Sequence, residues 1–136
     1  MTWRSLQSEE GVTAVEATLG ISLLLFVALF AIQLVLFFHG TLAARAAALN
    51  GARDVALTGD PNAGRPAYLR QQSTALGSLR WPGIVCQFRT TEATCEARVQ
   101  IPSIVPAGGA LFGSGGVLGP ITVTESAQYP ALDTGG

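Results

Sequence analysis

Leu19–Phe38 reads LGISLLLFVALFAIQLVLFF, and these residues decide the fold. Only Ser22 and Gln33 interrupt an otherwise apolar run, and no Asp, Glu, Lys or Arg occurs between Ala17 and Ala44. An α-helix rises about 1.5 Å per residue, so roughly 20 residues cross a hydrocarbon core of about 30 Å. The core helix of a soluble domain would carry a polar face, and this stretch has none. It reads as a membrane span over about residues 19–38, with lipid as its first partner.

On the amino-terminal side, MTWRSLQSEEG is a short polar leader, residues 1–11. Val12–Ala17 then leads into the apolar run and carries Glu16. A carboxylate deep in a membrane is costly, about 2.5–3.5 kcal/mol on insertion scales, so Glu16 at the mouth of the span calls for a reason. One is structural: an acid in the first turns complements the helix dipole. The other is functional: Glu16 meets a cation after processing or assembly.

On the carboxy-terminal side, His39-Gly40 marks the exit from the bilayer, with Gly40 a point where a helix can kink. Thr41–Leu57 is rich in helix formers, which predicts one helix over 12–57, about 69 Å long and twice what a membrane needs. Ala44, Ala48, Gly51, Ala52 and Val55 fall on one face. Such small residues let another element approach closely, and two partners fit equally: the chain's own small domain or a neighbouring subunit.

Residues 58–136 are expected to form that small domain. Thr58–Arg65 holds Gly, Asp-Pro and Asn, which is turn chemistry. A short helix is expected over Ala67–Leu76, with Tyr68, Leu69 and Leu76 as contacts and Trp81-Pro82-Gly83 as its stop. Ile84–Phe88 and Cys95–Ile101 alternate apolar and polar residues, the pattern of a hairpin, with Cys86 and Cys95 both on the apolar side. An even cysteine pair in an exported domain suggests a disulfide; two free thiols in a cytoplasmic domain is the other reading. Pro102–Pro120 is Gly- and Pro-rich yet apolar, either a loop folded over the sheet or a flap that contacts partners or lipid. Ile121–Tyr129 reads as the last strand, and the tail after Pro130 as frayed. The fold class is therefore α+β: a long transmembrane helix extending into a small domain with a short helix and a three-stranded antiparallel sheet.

Gly11-Val12-Thr13-Ala14-Val15-Glu16 ahead of an apolar helix resembles a type IV prepilin processing site. That resemblance implies a cut between Gly11 and Val12 by a prepilin peptidase, with Glu16 as the acidic residue that sets register during assembly. The stretch from Glu10 to Leu57 resembles the amino-terminal module of TadE-like proteins, minor pseudopilins of tight-adherence pili. In it a Glu precedes a Leu-rich span and an Ala-rich helix ends in Gly51-Ala52-Arg53; Ala17 stands where related small pilins carry Tyr. The resemblance implies a non-enzymatic component of a bacterial pilus or related secretion apparatus. Its partners would be other pilins or pseudopilins, pilus-assembly membrane proteins and the prepilin peptidase. The chain would sit in the cytoplasmic membrane with its carboxy-terminal domain outside, or in the pilus.

Other function classes find little footing. A net charge of −1 gives no basis for binding nucleic acid. His39 is the single histidine and has no Cys, Asp or Glu near it in sequence, so no metal, cofactor or catalytic set is expected. Arg4 lies before the span and Arg45 and Arg53 after it, so charge alone does not orient the chain. Two alternatives stay open: a secreted domain released by cleavage near Leu42-Ala43-Ala44, and a permanent single-pass membrane protein.

Overall fold

The computed structural model describes residues 4–104 and 119–131, with residues 4–12 described by their backbone. The expected apolar loop therefore lies largely outside the described residues, as does the tail beyond Ala131. The element order is α1 (Arg4–Thr58), a 3-10 turn (Pro61–Ala63), α2 (Gly64–Thr74), β1 (Arg80–Phe88), β2 (Glu92–Ile101) and β3 (Ile121–Pro130). This is the expected α+β arrangement.

Helix α1 runs for 55 residues, about 82 Å, without a break. It begins eight residues before Val12, so the polar leader is helical from Arg4 onward, and it does not break at Gly40. Its length is stopped by local chemistry. Gly59 adopts φ 71°, which a glycine enters without steric cost, and its N–H donates to the Val55 carbonyl at 2.8 Å. Asp60 then accepts from the Asn62 N–H at 2.8 Å and starts the 3-10 turn.

The three strands pair antiparallel in the order β1-β2-β3. The central strand β2 alternates in burial, with Ala93, Cys95, Ala97, Val99 and Ile101 inward. Sequence reading placed the apolar face of this strand correctly. It missed the start of β1. Trp81-Pro82-Gly83, expected to stop α2, belongs to β1, and the register with β2 shifts between Arg80 and Gly83. Proline is tolerated there because β1 is an edge strand. Helix α2 correspondingly lies two to three residues earlier than expected. Tyr68 is buried, whereas Leu69 and Leu76 are exposed and make no core.

The sheet lies against the upper half of α1, and β2 runs antiparallel to it. Ile101 packs beside Ala44 in one cluster with Leu79, Val99, Ile121 and Val123, onto which Leu36 and Phe37 close. Ala97 packs with Ala47, Ala48 and Tyr68 at mid-height. Ala93 and Cys95 pack with Ala52, Val55 and Ala56 at the far end. Below the sheet, Thr13–Leu29 of α1 is exposed throughout. The helix over Thr13–Thr58 is long and apolar enough to cross a membrane.

Candidate functional site

The sequence points to α1 as the functional element, and three regions of it carry chemistry. The first is the amino-terminal part. Gly11 and Val12 lie within the helix, and Glu16 follows one turn later, exposed. Among the described residues Glu16 has no ion-pair partner within the chain. The hydroxyls near it are satisfied locally: Thr18 donates to the Ala14 carbonyl at 2.8 Å and Ser22 to the Thr18 carbonyl at 2.9 Å.

The second region is the small-residue stripe. Ala44, Ala48, Gly51, Ala52 and Val55 are all buried, and Ala43, Ala47 and Ala56 extend the same face. The stripe packs under the chain's own sheet, which resolves the choice the sequence left open. Gly51 and Gly64 face each other where α1 and α2 approach closely. A methyl group on Gly51 would lie 2.9 Å from Ile84 Cδ1 and 3.5 Å from the Gly64 Cα. A methyl on Gly64 would overlap Cys86 Sγ. The two glycines thereby form a notch that seats a disulfide. Cys86 and Cys95 sit opposite each other on β1 and β2, bonded at 2.03 Å. Their Cα atoms are 4.1 Å apart, close to the roughly 4.5 Å of the narrower kind of antiparallel pair. Gly64 was not singled out by sequence, since a glycine after Asp-Pro-Asn-Ala reads as part of the turn.

The third region is Gln33, read in sequence only as an interruption of the apolar run. Its side chain is 0 % exposed. Nε2 donates to the Pro102 carbonyl at 3.4 Å, and Oε1 accepts the Ile104 N–H at 2.7 Å. A buried amide is costly unless hydrogen-bonded, and this one clasps the chain leaving β2 to the helix. The signal was present in the sequence: a lone amide in an apolar helix demands a partner.

On the opposite flank of the sheet core, Tyr68 from α2 donates to the Arg98 carbonyl at 3.2 Å and meets Trp81 edge to face at 5.2 Å. Burial raises its phenol above the ordinary value of 10.0, and a hydrogen bond with the Gly83 backbone opposes that rise. Among the described residues no cluster of three or more His, Cys, Asp or Glu gathers in a metal-holding arrangement. Compared with protein-family models, curated proteins and solved structures, the chain finds no match.

Proposed function

We propose that the protein is a TadE-like minor pseudopilin, a structural component of a bacterial tight-adherence pilus or related secretion apparatus. The observation that carries this reading is the division of α1. Its lower half is apolar and uncovered from Thr13 to Leu29, with the exposed Glu16 carboxylate near its start, while its upper half is the spine of a small disulfide-tied domain. A helix of that kind is stored in lipid and transferred to a bundle of like helices without exposing its apolar surface to water. Glu16 makes the transfer selective. An unpaired charge among apolar helices is penalised, so docking that supplies a cation is favoured over docking that does not.

Prepilin peptidase would cut between Gly11 and Val12, and the domain would face the extracytoplasmic side, where Cys86 and Cys95 can be oxidised. Release as a free domain by a cut near Ala44 is less consistent with the packing. Such a cut would remove Leu36 and Phe37 from the cluster around Ile101, and Gln33 from its clasp on Pro102 and Ile104.

Amino-terminal sequencing and intact mass of the protein from its native membrane test the reading. A start at Val12 is expected. A start between Ala44 and Ala48 would make it a released domain, and an intact amino terminus would leave a permanent anchor. Independently, Glu16→Ala should abolish incorporation into surface filaments while leaving the membrane-stored pool intact. Unchanged incorporation would remove Glu16 from the assembly mechanism.

A further inference from the structure

We infer that the hydrocarbon of the bilayer ends at Ile32, six residues below the limit of the apolar sequence, and that the Pro102–Ile104 end of the small domain rests in the lipid headgroup layer. This rests on the reading of α1 as a membrane span.

The first argument is backbone satisfaction. Pro102, Ser103 and Ile104 belong to neither helix nor strand, and they are pinned to α1 at the level of Gln33. A hydrocarbon layer reaching Phe38 would place this irregular backbone about 7.5 Å inside the oil. Ile104 is 43 % exposed, so that backbone would border lipid. Irregular backbone facing lipid does not occur within the hydrocarbon region, where it has no water to satisfy it. The boundary therefore lies no higher than Gln33.

The second argument is length. Counting about 20 residues back from Ile32, the thickness of a hydrocarbon core, reaches Thr13. The Thr18 and Ser22 hydroxyls inside that window are already bonded to helix carbonyls. Glu16 lies about 5 Å from the inner edge, within reach of the headgroups.

The third argument is what stands above the boundary. The headgroup region adds about 5–7 Å per leaflet, the height of four or five helical residues. Val35, Phe38 and Ile104 are exposed apolar groups in or beside that layer. Just above it, the sheet end beside Gly40 presents Ser78, Arg80 and Gln100 on a shallow concavity that Pro102 and Ser103 continue down into the layer. Apolar groups below and hydroxyl, amide and guanidinium groups above match the polarity gradient of a lipid surface.

Depth-resolved fluorescence quenching tests this in the full chain. The native cysteines are bonded to each other, so single cysteines can be placed at Ser22, Leu25, Ala28, Val35, Phe38 and Ile104 and labelled with an environment-sensitive fluorophore. The chain is then reconstituted into phosphatidylcholine vesicles carrying nitroxides at the headgroup, upper acyl chain or chain terminus. Quenching by the deepest nitroxide should peak at Ser22 and Leu25, and labels at Phe38 and Ile104 should be quenched most by the headgroup nitroxide. A deep peak at Ala28, the centre of a span over 19–38, would overturn the boundary while leaving the membrane reading intact. An Ile104 label untouched by every nitroxide would overturn the contact of the domain with lipid. Absence of quenching at all sites would overturn the membrane reading and this inference with it.

Discussion

Gly64 has no room for even a single methyl group. Its added carbon would meet the sulfur of a disulfide held on both sides by strands, which cannot swing away. Gly64→Ala is therefore expected to lower stability by about 1–3 kcal/mol, the usual cost of overpacking. At Gly51 the nearest atom is the terminal carbon of Ile84, which can rotate, and the substitution gains roughly 1 kcal/mol of helix propensity. Gly51→Ala should thus fall well short of Gly64→Ala in a thermal unfolding comparison. Tyr68 makes a pH-dependent contribution of known sign. Its pKa is raised in the folded state, so folding favours the protonated phenol. That contribution is complete below the unfolded value of 10.0 and is lost as pH rises past it toward the folded value. The chain has no Lys and its cysteines are bonded, so few other side chains titrate in this window. Resistance to chemical denaturation should weaken above about pH 10, and Tyr68→Phe should flatten that decline while costing about 0.5–1.5 kcal/mol at neutral pH for the lost bond to Arg98.

At the scale of elements, the disulfide closes a hairpin of sequence separation 9 and should stabilise it by about 2–3 kcal/mol on the loop-entropy account. Reduction, or a Cys86→Ser/Cys95→Ser pair, should lower the thermal midpoint of the domain while leaving the helix signal of the lower α1 in circular dichroism. The elements differ in how plainly the sequence announces them. α1 is legible because a twenty-residue uncharged run with only two polar interruptions admits few other readings, and β2 because Cys95, Ala97, Val99 and Ile101 alternate cleanly with polar residues. β1 is blurred because Trp81-Pro82-Gly83 looks like a turn, and only its position at the sheet edge lets it stay in a strand. The partner of the alanine stripe was undecidable, since small residues state that something comes close without stating what. A lone amide in an apolar helix announces that Gln33 needs a partner, but the partners of Gln33 and the disulfide that Gly64 seats lie 22 to 71 residues away in sequence, which no local pattern encodes.

For the whole molecule, the clasp at Gln33 sets how the domain sits on its helix. Gln33→Leu keeps the apolar character of α1 but leaves the Ile104 N–H and the Pro102 carbonyl without their partner. A loss of about 1–3 kcal/mol is expected, read as earlier thermal unfolding and faster cleavage by protease near Ile104, with α1 itself intact. An unchanged protease pattern would mean that the packing of Leu36 and Phe37 alone holds this end.

The unbroken course of α1 through Gly40 has a mechanical meaning. Helix and sheet meet along a seam parallel to the helix axis, from Leu36 to Ala56, with β2 lying alongside and the covalent tie at its far end. A pull on the amino-terminal end of α1 runs along that seam and loads its three contact clusters together, in shear. It does not open them one after another, as a peeling force would. With no hinge between the pulled end and the seam, the domain follows the helix as a rigid body. In the proposed assembly, a helix drawn lengthwise out of a bilayer would therefore carry its domain with it intact.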